Sequence, residues 1–329
     1  MRFLKNLPNN IYVQFAGALS IILGPALDAI STSNVYVYIG LGFAILFLIG
    51  VHEEYKKNKK FEKELIHFPI VIKIDNGPNE KFAMKLLMWQ IEQSEKLSNY
   101  QEDLLTYYHL DVDSYIFTYR GDIFDRDKLF TFMHIIRYKI EEIERRLEGR
   151  VKFHIAYYRR PAIGFMIGTL FRTEAIKLYQ NNDTKNIFEM VCDVNTRKYK
   201  EATQLTKYTI TKDFRKSEDE VLIVINSASH NVNIQASSLK KFNNTVVLQL
   251  IEKGTIPYDA SWDEYSSQIY TVINELQTQF KKITIAHSMP EALAILLGMA
   301  MENYWDVNIT QYVNQDYKTM YNLKEIVFL

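Results

Sequence analysis

Four cations, Arg120, Arg159, Arg160 and Lys253, stand just after β-branched runs that read as strands. Guanidinium forks and an ammonium at strand ends can counter phosphate oxygens through charge-assisted hydrogen bonds, which are stronger than neutral ones. Near them in the same kind of loop stand Tyr157, Tyr158 and His287, whose rings can stack on a base. Asn76, Asn226, Ser227 and Ser229 can hydrogen-bond base edges or ribose; Gly77, Asn79 and Ser288 complete the candidate set. This is chemistry for holding an anionic ligand rather than transforming one. No Walker lysine, no G-x-S-x-G elbow and no His-Glu-x-x-His run is present, so the chain reads as a non-enzyme.

The elements that must position these residues alternate. Phe68–Asp75, Tyr115–Tyr119, Val151–Tyr157 and Ala175–Tyr179 read as strands. Asn79–Leu97, a helix capped by Asp125, and Pro161–Arg172 read as helices between them. In the second helix Leu129, Phe132, Met133, Ile136, Ile140, Ile143 and Leu147 trace one face. The order then recurs: strands at Glu220–Asn226, Thr245–Ile251 and Ile283–Ala286, and helices after Ser261 and over Glu291–Asn303. Ser261-x-x-Glu264 predicts a capping box. At an offset of 130 residues Ile155-Ala156 aligns with Ile285-Ala286, Ala162 with Ala292, and Gly168 with Gly298. A duplicated Rossmann-like α/β unit with mostly parallel sheets follows, and its ligand crevice belongs at the carboxyl ends of the strands.

The amino-terminal part differs. Ile11–Ile30 contains a single ionisable residue, Asp28, and Val35–Val51 contains none. Both approach the roughly 20 apolar residues that cross about 30 Å of hydrocarbon. Only Ser31–Asn34 separates them. Arg2 and Lys5 precede the pair, and Lys56, Lys57, Lys59, Lys60 and Lys63 follow it. The expectation is a transmembrane α-helical hairpin with both termini cytoplasmic. Ala16, Ser20 and Gly24, and Gly40 with Ala44, offer small-residue faces for helix association. The organisation read from sequence is thus a tail (1–10), hairpin (11–52), charged linker (53–64), first α/β half (65–185) and second half (186–329).

Composition closes off other classes. Lys+Arg and Asp+Glu are both 39, so no global basic field holds bulk DNA or RNA. A single cysteine, Cys192, excludes an intramolecular disulfide framework, and no Cys/His spacing reads as a zinc motif. Neither a metal nor a cofactor is expected.

The segments IAYYRRPAIGFMIGTLF and ITIAHSMPEALAILLGMAM resemble the strand–loop–helix hallmark of SAVED domains, which fuse two CARF-like Rossmann folds. The resemblance covers roughly residues 65–329. With two apolar segments ahead of it, the chain resembles membrane-anchored SAVED effectors of bacterial CBASS anti-phage systems. That resemblance implies a cyclic di- or trinucleotide ligand from a cGAS-like nucleotidyltransferase. It also implies homo-oligomerisation on binding, loss of inner-membrane integrity and abortive infection, with the chain a multi-pass inner-membrane protein. A membrane-anchored CRISPR-associated CARF/SAVED sensor and a hairpin-anchored scaffold or binding protein with an unrelated ligand are the alternatives. The two halves depart from each other, Tyr-Tyr-Arg-Arg-Pro in the first against His-Ser-Met-Pro in the second, so the two sub-sites are not expected to read the same base.

Overall fold

The alternation of β-branched and amphipathic runs resolves, in a computed structural model, into two sheets with helices between them. The structure describes residues 7–27, 33–61, 64–75, 79–182, 184–185, 187–194, 202, 204–215, 219–252 and 254–328. By contacts the chain divides into Met1–Ile66 with Asn99–Asp111, and His67–Ser98 with Val112–Leu329.

The smaller unit holds α1 (Ile11–Leu27) and α2 (Ser33–Phe61), so the charged linker begins as a continuation of the second helix. Gly50 of α2 lies against the start of α1: a Cβ there would meet Val13 Cγ2 at 2.8 Å and Asn10 Oδ1 at 2.9 Å. With the short connection between them, this makes the two helices antiparallel. Gly17, Gly40 and Gly42 instead face open space. The close approach therefore falls at a glycine outside the expected Ala16–Ser20–Gly24 and Gly40–Ala44 faces. Among the described residues, no helix is long and apolar enough to cross a membrane. α1 has 17 residues, about 26 Å of helix against about 30 Å of hydrocarbon. α2 is longer, but its last turns carry Glu53, Glu54, Lys56, Lys57, Lys59 and Lys60. Asp28–Thr32, including most of the expected loop, lie outside the described residues. The transmembrane expectation is left without support from the fold.

The larger unit contains two sheets. The first runs β2 (Ile116–Tyr119), β1 (Ile66–Ile74), β3 (Val151–Tyr158), β4 (Ile176–Asn182) and β5 (Ile187–Val194). Its helices are α3 (Glu80–Glu95), α4 (Arg126–Arg146) and α5 (Pro161–Leu170). The second sheet runs β11 (Asp316–Asn322), β10 (Val307–Val313), β9 (Lys282–Ser288), β7 (Glu220–Asn226), β8 (Asn244–Leu250) and β6 (Tyr208–Phe214), with α6 (Trp262–Gln279) and α7 (Glu291–Ala300). Every residue of β3 is buried, as central strands covered on both faces require.

Both sheets are mixed, with most strand pairs parallel and antiparallel pairs at the edges. Parallel pairs β1–β2, β3–β4, β7–β8, β7–β9 and β9–β10 carry antiparallel edges β5, β6 and β11. Two of these edges close tight hairpins. Asn314 and Gln315 have φ of 50° and 63°, a left-handed pair that joins β10 to β11 without a glycine. Because β5 folds back on β4, the expected boundary between 185 and 186 falls between two paired strands, and the first half extends through Val194. Ser261 is the N-cap of α6, yet its side chain makes no capping bond; only its carbonyl accepts from Glu264 N. The capping box is absent. Asp125, by contrast, caps α4 through Lys128 N as expected.

The halves meet where α5 crosses α7. A Cβ on Gly168 would lie 2.1 Å from the Ile295 carbonyl oxygen, and one on Gly298 would lie 2.0 Å from that of Phe165. Both the glycines and the carbonyls they face are 130 residues apart. The crossing is reciprocal, a pseudo-twofold contact that only residues lacking Cβ permit.

Candidate functional site

The carboxyl edge of the first sheet is built from strained turns. Asp75, directly after β1, has φ 62°, and Arg159 and Arg160, directly after β3, have φ 66° and 64°. Left-handed backbone costs a non-glycine residue about 1–2 kcal/mol, so surrounding bonds must hold it. The Tyr157 hydroxyl donates to the Arg160 carbonyl at 2.8 Å, and Arg160 Nε donates to Asp75 Oδ2 at 3.0 Å. Pro161 then opens α5, whose N-cap, Arg160, supplies no side-chain acceptor to the first N–H groups. Arg159 is exposed beside that helix start. Arg120 donates to Glu80 Oε1 at 3.1 Å, and Lys73 reaches the same oxygen at 3.2 Å. The Arg120 bond, followed by that of Lys73, holds the Glu80 carboxyl down to about 2. An anion recruiting Arg120 must therefore compete with a carboxylate. Asn79 is occupied as the cap of α3, accepting from Lys81 N at 3.0 Å and Phe82 N at 3.2 Å.

The carboxyl edge of the second sheet is less satisfied. Strand register places Asn226 opposite Ser288 and Ile225 opposite His287. Asn226 spends its amide on Gln249 Oε1 at 2.9 Å and on Val232 N at 2.8 Å, which pins the loop after β7. Ser227 is buried, bonded to the Tyr208 hydroxyl at 2.8 Å, and its N–H donates to the Ser288 carbonyl at 2.7 Å. His287 is 8% exposed, and neither ring nitrogen has a hydrogen-bond partner. Its ring tilts against Phe165 of α5 at 5.5 Å. Burial pushes its pKa down to about 4, and the nearby Thr310 backbone offsets part of that. Ser288 Oγ and Gln311 Oε1 are likewise buried without partners. Gln311 lies two residues beyond Ile309, the last β10 residue paired with β9. Ser288 and Gln311 thus leave unpaired buried oxygens on two neighbouring strands, and His287 has only the Thr310 backbone beside its ring.

Not every expected residue joins these edges. Tyr157 and Tyr158 are buried, the latter packed on Phe188 at 5.2 Å, so neither ring is free to stack on a base. Ser229 lies exposed on the outer loop. Asn76, Gly77 and Lys253 lie outside the described residues. Sequence reasoning missed Gln180 in β4, which accepts from Ala292 N at 3.1 Å and donates to Glu291 at 2.8 Å. It caps the helix of the other half. Gln311 was missed too, because an isolated glutamine in a strand carries no periodic signal.

The comparisons with known proteins bear on the same region. A family model described as the SMODS-associated and fused to various effectors sensor domain (SAVED) matches residues 163–322. The solved Acinetobacter baumannii Cap4 SAVED/CARF-domain containing receptor with the cyclic trinucleotide 2'3'3'-cAAA aligns at TM-score 0.50 and 11% identity. That alignment covers 84% of this chain and 56% of the receptor, so the chain spans little more than half of its length. The same receptor with 3'3'3'-cAAA aligns at TM-score 0.46 and 11% identity over 84% of this chain and 56% of that one. No curated protein matches the chain. At such identity the structural likeness concerns the fold alone: the chain's two mixed-sheet α/β units resemble the fold of the SAVED/CARF-domain receptor.

Proposed function

We propose that the chain is a cyclic-oligonucleotide sensor of anti-phage defence and that it performs no catalysis. The single observation carrying this is the SAVED match over 163–322, which contains the glycine crossing and the unpartnered His287, Ser288 and Gln311. The likeness in fold to a receptor solved with a cyclic trinucleotide supports the ligand class.

The ligand bridges the two carboxyl edges. Arg159, with Arg160 once it exchanges Asp75, meets phosphate oxygens next to the uncapped start of α5. His287, Ser288 and Gln311 meet the polar edge of a base. Because the two edges differ in charge and in donors, a ligand reading both is bound in one orientation.

The finer steps rest on the amino-terminal unit. Ile11, Phe15, Ile21, Leu41, Ile45 and Leu48 are exposed there, and exposed apolar area of this extent suits a lipid or protein surface. In this proposal the two helices reach the bacterial inner membrane with both termini cytoplasmic. Ligand binding assembles several chains, and the clustered helices breach the bilayer. Assembly follows only if the ligand binds the assembled form more tightly, since equal affinity shifts nothing.

The test is a binding screen of the detergent-purified chain against cyclic di- and trinucleotides, with sedimentation and dye leakage from vesicles. Saturable binding, a larger species and leakage that all depend on the same nucleotide are expected. Binding without any change in size would remove the assembly step; leakage without nucleotide would remove the gating.

A further inference from the structure

At the end of the first sheet opposite the candidate site, three side chains from three elements converge. His67 is the second residue of β1, Glu95 the last of α3, and His154 the fourth of β3. One donor atom from each lies within 4.8 Å of the others. We propose that His67, Glu95 and His154 bind a divalent transition metal of the zinc class, with water as the fourth ligand.

The chemistry of the donor set fits. Two imidazoles and one carboxylate are a common zinc ligand set when one position stays open. His67 Nδ1 and His154 Nε2 stand 2.8 Å apart. Two nitrogens on one tetrahedral zinc, each at 2.0–2.1 Å, are separated by about 3.3 Å, so His67 must move away from His154 to admit the ion. The carboxylate is divided: Lys177 holds Glu95 Oε1, while Oε2 faces His67 Nε2 at 3.6 Å. The second oxygen is the one available to a metal; because it faces His67 Nε2 while His154 faces Nδ1, the His67 ring must rotate to present one nitrogen to an ion between them.

The outer contacts fit as well. His154 Nδ1 lies 2.8 Å from the Tyr179 hydroxyl, which turns Nε2 toward His67. A ligand histidine whose other nitrogen is held by a hydrogen bond has its tautomer and ring orientation fixed. His154 is fully buried and its neighbours are close to it, so the ion would sit in poorly hydrated surroundings.

Three charges surround the cluster: Lys177, Lys152 and Asp193. Lys177 also reaches Asp193 at 3.5 Å, and Lys152 pairs with Asp193. The two lysines and the carboxylates Glu95 and Asp193 cancel, so nothing further offsets a dication. Lys177 opposes the metal, and this yields a discriminating variant. The function of such a site is a clamp joining the end of α3 to β1 and β3. It lies a β-strand's length from Asp75, about 26 Å, and needs no cyclic nucleotide.

The test uses the full detergent-purified chain, stripped with chelator and titrated with Co²⁺ and Zn²⁺. One equivalent per chain is expected, with the visible absorption of tetrahedral cobalt that zinc displaces. His67→Gln and Glu95→Gln should each weaken binding by at least about tenfold. Lys177→Met should tighten it about tenfold, because a like charge has gone. Circular dichroism checks the fold, and Glu95→Gln, on the helix end, serves if His67→Gln misfolds. Sub-stoichiometric metal, or binding unchanged in His67→Gln, Glu95→Gln and Lys177→Met, would overturn the proposal and leave Glu95–His67–His154–Tyr179 a hydrogen-bonded chain alone.

Discussion

The two carboxyl edges of the larger unit share a scaffold and differ in chemistry. In the first half, β3 ends in Tyr157-Tyr158-Arg159-Arg160, a strained turn whose hydroxyl and guanidinium are bonded to Arg160 O and Asp75. In the second, β9 ends in His287-Ser288-Met289-Pro290, where the side-chain polar atoms of His287 and Ser288 lack partners. The helices that follow cross through Gly168 and Gly298 in reciprocal contact. The crossing must stay symmetric because each glycine faces a carbonyl of the other helix, whereas the strand ends were free to diverge. The helix packing of the two halves is alike, and their strand ends are not.

The largest effect should come from breaking the symmetric part. Gly168→Ala and Gly298→Ala each drive a methyl into a backbone oxygen near 2 Å, and overpacking of this kind costs about 3 kcal/mol or more. Denaturant unfolding should show comparable losses for both. A tolerated substitution at one of them would mean that the crossing is not reciprocal.

Acid should act through the second edge. The folded-state pKa of His287 is pushed down to about 4 by burial, against an ordinary 6.5. The native state then binds fewer protons than the unfolded one between those values, so stability is full above pH 6.5 and falls as pH drops toward 4. The contribution is on the order of 3 kcal/mol. His287→Gln should flatten that part of the pH profile measured by thermal unfolding; an unchanged slope would contradict the buried, unpartnered histidine.

Capping gives the smallest difference. Asn79 accepts two backbone N–H bonds at the start of α3, while Ser261 accepts none through its side chain at α6. Asn79→Ala should cost about 1 kcal/mol and Ser261→Ala clearly less, read from the same unfolding curves. Equal losses would restore the capping box that the sequence suggested.

The central strands and helices were legible because their signals are local. β-branched runs, the Asp125 cap and the apolar face from Leu129 to Ile143 all coincide with observed elements. The antiparallel edges β5, β6 and β11, with β10 beside the last, were not: they carry polar residues, and the β10–β11 hairpin at Asn314-Gln315 lacks the expected glycine. In the site, Arg159, Arg160, His287 and Ser288 could be found from loop position after a strand. Burial of Tyr157 and Tyr158 could not, since an aromatic residue at a strand end reads equally as core. Gln311 depends on strand register, and His67, Glu95 and His154 meet only through sheet pairing, with no motif spacing to announce them.

The most direct measurement is calorimetric titration of the full chain with the cyclic di- or trinucleotide that the binding screen selects, comparing wild type, Arg159→Ala with Arg160→Ala, and His287→Ala. Losing an arginine–phosphate bond costs about 1.5–3 kcal/mol, roughly tenfold to a hundredfold in affinity. One ligand per chain is predicted, with that loss in the arginine variant and a separate loss in the His287 variant, both on a single binding event. Two independent binding events, or wild-type affinity in the arginine double variant, would contradict a single site shared by the unequal halves.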